Sequence, residues 1–277
     1  MLTLEDGTDP QGVRQIRTDP VYVGGDGTIN IVGDINTGGT TQQALVVDGF
    51  TTANHTGTGQ GRLSLILSGA IVGGDADNPL IDAREAERVE VRNTIDISSG
   101  GALAFGSSDG GYLLVADGAR IRATNSTLAT EQEATLVYQR GGLFENYGTL
   151  IEDGGAGEPG SERGKRAVGV ELDSGTFHNR RTSDTRFGRV VVNNFGVRMR
   201  GGVDRAAVLI NDGLIESRMA AAIFSETRHD DNPLYLTRNN SQGVITGAGV
   251  SYQALTRTRD LVVNAGTMNG DIWLGES

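Results

Sequence analysis

"VLINDGLIES", residues 208–217, holds the pattern that decides how this chain folds. Val208, Leu209 and Ile210 run into Asn211, Gly213 follows two residues later, and Leu214 and Ile215 lead away. Short aliphatic runs rich in β-branched residues favour extended backbone. Asn-x-Gly between them is turn chemistry, because Asn bonds its own backbone and Gly accepts tight geometry. The stretch therefore reads as strand, sharp corner, strand. Neither strand can bury its apolar face alone, so the chain must lay further strands on it.

The same pattern recurs along the chain. It stands in "ENYGTLIE" (145–152), "NNFGVRMRG" (193–201) and "NAGTMNGDI" (264–272), with looser copies in "LSGAIVGG" (67–74), "VADGARIRA" (115–123) and "NNSQGVITG" (239–247). Aligned on Gly196, Gly213, Gly243 and Gly266, the copies lie 17, 30 and 23 residues apart. Periods in this range mark a solenoid. Asparagines at equivalent corners can then stack along the axis as an amide ladder. Uneven spacing places loops of different length on an otherwise regular stack.

Alternation supports strands throughout. In "VEVRNTIDI" (89–97), Val89, Val91, Ile95 and Ile97 share one phase and polar residues the other, which predicts one strand with a buried and a wet face. Two stretches tempt a helix assignment. "TEQEATLVYQ" (130–139) has a capping-box spacing from Thr130 to Glu133, and "ESRMAAAIFSE" (216–226) is rich in helix formers. Neither sustains a helical apolar stripe, so both are expected to be strands or a single helical turn. The expectation is an all-β parallel β-helix (β-solenoid) with irregular loops. It forms one domain over 1–277, with 1–20 less regular.

Composition agrees. Forty-two glycines against five prolines suit a fold of many tight corners, and the absence of cysteine removes disulfides, thiolate metal sites and cysteine nucleophiles. "MLTLEDGTDP" (1–10) lacks the basic start and apolar core of a signal peptide, and the longest apolar run, around "LSLILSGAIV" (63–72), is too short to span a bilayer. A net charge of −11 argues against nucleic acid as a partner. Residues 163–205 nevertheless hold ten basic and four acidic side chains, including Arg180, Arg181, Arg186, Arg189, Arg198 and Arg200. That stretch could face an anionic polysaccharide or lipid headgroups, but charge runs more often balance an oppositely charged remainder.

No residue qualifies as a catalytic, cofactor-binding or metal-ligating position. "YVGGDGTIN" (22–30) and "IVGGDADNP" (71–79) look like glycine-aspartate calcium repeats, yet Ile29 stands where an aspartate belongs and the unit is not tandem. Asp75 and Asp77 read as a plain turn rather than oxygen ligands. His55, His178 and His229 lack a second histidine at ligand spacing. "SERGKRA" (161–167) misplaces the phosphate-loop glycine and has no Ser or Thr after Lys165, and "GSSDG" (106–110) is not a nucleophile elbow. For a polysaccharide lyase or glycoside hydrolase, which also needs clustered carboxylates and arginine, Asp109, Asp204 and Arg205 are the candidates.

A strand entering N-x-G-x-[ILM]-x-G, repeated irregularly in a Gly-, Asn- and Asp-rich chain without cysteine, resembles autotransporter passenger domains and filamentous haemagglutinin-type adhesins of type V secretion. The matches are "VVNNFGVRMRGG" (191–202), "VLINDGLIES" and "LVVNAGTMNGDIWLG" (261–275). The resemblance covers Gly142 to the end best, and the earlier part departs from it by replacing Asn with Asp or Ser. It implies a right-handed parallel β-helix, a fragment of a longer passenger, secreted or at the cell surface after export across the outer membrane of a Gram-negative bacterium. It also implies an outer-membrane β-barrel in the parent chain, although no barrel pattern is visible in these residues. The expected role is that of adhesin or stalk, non-enzymatic and without cofactor. Binding to a host or bacterial cell surface or to polysaccharide would use loops such as 151–166 and 225–236. Self-association into a filament and a polysaccharide-active enzyme are the alternatives. The end, "NAGTMNGDIWLGES" (264–277), is expected to be an uncovered turn with Ile272 or Trp273 pointing inward, covered by further chain or by a neighbour.

Overall fold

The computed structural model describes residues 2–4, 21–23, 27–37, 41–47, 63–106, 110–124, 134–153, 167–201, 206–227, 233–255 and 257–275. Among them there is no helix. Short strands turn two or three times per circuit, and each circuit lies on the one before. Three columns result. The first column stacks Leu2–Leu4, Gly27–Ile31, Leu63–Leu67, Arg88–Val91, Tyr112–Val115, Leu143–Asn146, Gly175–Asn179, Ala207–Asn211, Leu234–Asn239 and Arg259–Asn264, which defines ten rungs. The second runs from Ile35–Asn36 through Arg120–Thr124, Thr149–Asp153, Arg189–Val192 and Leu214–Ser217. The third runs from Val21–Val23 through Leu45–Val47, Ala134–Gln139, Ala167–Leu172, Val197–Met199 and Ile223–Ser225.

Four long strands, Ile71–Ala83, Thr94–Phe105, Val244–Ala254 and Thr267–Trp273, pass through both the second and third columns. They bend at register shifts, between Ile97 and Gly101 and between Thr246 and Tyr252. Among the described residues pairing is parallel except where Thr41–Gln42 meets Gly74 and Asp75, and at the Arg181–Phe187 bridge. The chain is thus an all-β parallel solenoid. "ATLVYQ" (134–139) is strand, and "ESRMAAAIFSE" divides into Leu214–Ser217, a corner and Ile223–Ser225. Residues 5–20 lie outside the described residues.

Parity explains the core. Leu65, Val89, Leu113, Phe144, Phe177 and Leu209 are register partners in consecutive rungs and are fully buried. Phe144 and Phe177 stack at 4.7 Å between ring centroids. One sequence expectation needs correcting. "VEVRNTIDI" is two strands, Arg88–Val91 and the start of Thr94–Phe105, because the chain turns a corner at Arg92 and Asn93. A corner of two residues preserves the alternation, so all four aliphatics still point inward and the turn leaves no break in the pattern.

The row one step nearer the first corner changes chemistry halfway along the stack. Its members are Ile31, Leu67, Val91 and Val115, then Asn146, Asn179, Asn211, Asn239 and Asn264. Each asparagine Nδ2 donates to the Oδ1 of the next, at 2.9, 2.9, 2.9 and 2.8 Å. Oδ1 of Asn146, Asn211 and Asn264 also accepts the amide N–H of the glycine two residues on, at 3.2 Å in each case. This gives N-x-G its physical sense: one oxygen shapes the corner while the nitrogen ties the rung to its neighbour. "NNFGVRMRG" is not a copy of this corner, since Gly196 sits between the second and third columns. The ladder member of that rung is Asn179, and the spacings between members are 33, 32, 28 and 25 residues.

Candidate functional site

A chain of polar side chains climbs the outer face of the first column. Tyr112, in the fifth rung, donates its hydroxyl to Glu145 Oε2 in the sixth at 2.7 Å. Arg180, just beyond Asn179 in the seventh, donates Nε to Glu145 Oε1 at 2.7 Å. His178 Nε2 lies 2.5 Å from Asp212 Oδ2, and Asp212 Oδ1 accepts from Asn240 Nδ2 at 2.7 Å. Register places Glu145 beside His178, so five rungs are joined by one array.

Electrostatics follow from these contacts. Burial works against ionisation of Glu145, but the Tyr112 hydroxyl and the Arg180 guanidinium outweigh it and hold the carboxyl below the usual range. At Asp212 burial is likewise overcome, by His178 and Asn240. Burial and the hydrogen bond to Glu145 push the Tyr112 hydroxyl up to about 12. A carboxylate that orients an imidazole is the geometry of general-base work. Each carboxylate here also takes a second donor from another rung, as a structural tie would.

A second array lies on the outer face of the third column. Glu171 in the sixth rung faces Arg198 and Arg200 in the seventh, at 3.5 and 3.3 Å. Both arginines also reach Glu226 in the eighth, Arg198 at 3.9 Å and Arg200 in close contact. Arg198 lies over the Phe195 ring at 5.1 Å, and Phe195 stacks on Phe224 at 4.3 Å. Glu171 and Arg198 are each only 6% exposed. Two cations and two anions balance, as a nearly buried cluster requires.

Glu152 is different. Its register partner is the buried Ala123, so its side chain enters the core row and is fully buried. Oε2 accepts the Asn193 backbone N–H at 2.8 Å, while Oε1 has no hydrogen-bond partner among the described residues. Burial raises its pKa, and the hydrogen bonds from the Asn193 and Ala167 backbone and the Arg218 charge offset this only in part. A folded pKa above the unfolded one adds stability at low pH, which is lost as pH rises through the folded value. Glu152→Gln should therefore stabilise the fold by about 1 kcal/mol near neutral pH, as an ionised acceptor lacking a full set of partners disappears. Urea midpoints from pH 4 to pH 8 should show the difference from the parent growing with pH. A constant difference would show that Glu152 does not titrate in that window.

The residues singled out in the sequence fall as follows. His178 enters the first array, where the sequence shows only a polar context. Ile29 is core, 7% exposed, and lies in strand Gly27–Ile31. His55, Asp109, Lys165, Asp204, Arg205 and His229 lie outside the described residues, as do 154–166 of the loop at 151–166 and 228–232 of the loop at 225–236. Asp75 pairs its backbone within the long strand Ile71–Ala83, and the side chains of Asp75 and Asp77 lie outside the description. Among the described residues no group of three or more His, Asp or Glu is placed to hold a metal ion. Much of the basic stretch is engaged with acids of other rungs. Arg180 pairs with Glu145, Arg186 with Asp117, and Arg198 and Arg200 with Glu171 and Glu226. Arg181 donates to the carbonyls of Asp212 and Gln242, and Arg189 lies 5.9 Å from the Phe187 ring. The sequence signal for these arrays was weak because their partners stand 26 to 35 residues apart at uneven intervals.

Comparison with family models, with curated proteins and with solved structures gives no match.

Proposed function

We propose that this chain is a surface-exposed or secreted β-helix that serves as an adhesin or as the stalk carrying one, non-enzymatic and of the autotransporter passenger type. One observation carries the reading: carboxylates of both outer arrays are engaged by donors from neighbouring rungs. Such an arrangement stiffens a rod. Ten rungs at roughly 4.8 Å each give a rod of roughly 45 Å. Loops leaving such a rod at irregular intervals are suited to contact a cell surface or polysaccharide.

The test uses the full chain immobilised on a sensor, with alginate, polygalacturonate and intact bacterial cells as analytes. Saturable binding to one of them without release of reducing or unsaturated ends is the expected result. A polysaccharide-active enzyme is the second reading, favoured by the Glu145–His178–Asp212 grouping, in which His178 and Asp212 are partly exposed. Product release that falls at least a hundredfold in His178→Ala, with the fold intact by circular dichroism, would establish it over the first.

A further inference from the structure

The tenth rung is open on its far side. Arg259–Asn264 and Thr267–Trp273 pair backward with Leu234–Asn239 and Val244–Ala254, and no described strand pairs forward with them. The core rows continue to this edge. Val262 stands over Thr237, Met268 over Ile245, and Ile272 over Tyr252. Tyr252 is fully buried, whereas Ile272 is 46% exposed because nothing described lies on it. Trp273 shares register with Gln253 on the outward row. Of the eight exposed large apolar side chains among the described residues, seven lie between Leu234 and Leu274, so this exposure is concentrated at one end.

Polarity of the asparagine ladder says what could cover that end. Each rung from the sixth to the ninth passes an Nδ2 donor forward to an Oδ1 acceptor. Asn264 Oδ1 is occupied by Asn239 Nδ2 and by the Gly266 N–H, and no hydrogen bond from Asn264 Nδ2 occurs among the described residues. A covering strand that continues the ladder therefore brings an amide oxygen to this register. The opposite end of a second copy does not, because the first two rungs carry Leu4 and Ile31 there. Two copies meeting at their open ends would oppose donor to donor.

We propose that the open tenth rung is a docking site for an extended polypeptide segment of the form apolar-x-Asn-x-Gly. The segment lies parallel to Arg259–Asn264, accepts the Asn264 amide through its own asparagine and covers Val262, Met268 and Ile272. The mode is strand addition, in which backbone pairing supplies affinity and alternate side chains supply register. The proposal rests on the fold and is independent of the adhesin reading.

Trp273 is the only tryptophan of the chain and reports on this rung. Two formats test the docking. In the first, a peptide with the sequence of residues 234–255 is titrated against the full chain. In the second, that sequence is fused after Ser277 through a linker of about six residues, so that its asparagine falls 25 residues after Asn264, the spacing of the last ladder step. Both should shift Trp273 emission to the blue and shield it from acrylamide, and the fusion should unfold at higher temperature. Leucine in place of the segment's asparagine should weaken peptide affinity roughly tenfold, as expected for one lost amide hydrogen bond. No emission change in either format overturns the proposal, as does equal performance of the asparagine and leucine segments. A blue shift that grows with concentration of the chain alone would assign the end to self-association instead.

Discussion

Asn211→Ala is expected to lower the stability of the chain by about 3 kcal/mol, seen as a fall in the urea midpoint. Asn211 sits in the middle of the ladder and is fully buried. Its Nδ2 donates to Asn239 Oδ1, with weaker contributions to the carbonyls of Gly213 and Val244 at 3.3 Å. Its Oδ1 accepts from Asn179 Nδ2 and from the Gly213 N–H. Alanine leaves buried donors and acceptors without partners on both sides, at about 1–3 kcal/mol for each such group, and adds a cavity. Position along the row decides the size of the effect. Asn264→Ala, at the exposed end, should cost under about 1 kcal/mol, because water replaces the lost partner. Asn146→Val should fall between them, since Val115 below it already presents an aliphatic face. Equal effects at the three positions would mean that the asparagines act independently of the ladder.

Gly213→Ala should be comparably damaging, about 3 kcal/mol, although it deletes nothing. A Cβ at Gly213 would lie 2.2 Å from the Gly188 carbonyl oxygen and 2.7 Å from Asn179 Nδ2. Both are parts of the stack and neither can swing aside, so the corner must open and the rung must separate from its neighbour. Gly118→Ala is the control. It has open space around it but a φ of +86°, so only backbone strain of roughly 1 kcal/mol applies. Thermal midpoints of the two variants against the parent measure the difference. A Gly118 variant as unstable as the Gly213 variant would show that dihedral strain, and not rung spacing, governs these corners.

Corners with the motif intact were legible in the sequence. Asn146, Asn211 and Asn264 each have glycine two residues later, because the Asx contact to that glycine N–H is local. Asn179 was hidden because residues 180–187 leave the rung and return before Gly188 takes the corner place. Asn194 misled in the opposite sense, since an asparagine and a glycine also stand at the corner that leads to Val197. Strand parity revealed most of the core, but not the inward direction of Glu152, whose local sequence "LIED" places it among acids at a strand end. The outer arrays could not be read at all. Pairing Glu145 with Arg180 or His178 with Asp212 requires the rung length at that point, and rung length varies with every loop.

The fold rests on strands stacking in one parallel register, and spin-label distances along the outer row test that directly. The chain has no cysteine, so pairs of introduced cysteines carry labels only where they are placed. Ser64, Arg88, Tyr112, Leu143, Thr176, Val208, Leu236 and Leu261 are successive register partners. At roughly 4.8 Å per rung, backbone separations of about 24 Å for Ser64–Val208, 29 Å for Arg88–Leu261 and 34 Å for Ser64–Leu261 are expected. Double electron–electron resonance should return distances that increase in this order in even steps. A Ser64–Leu261 distance no longer than Ser64–Val208 would contradict the parallel solenoid.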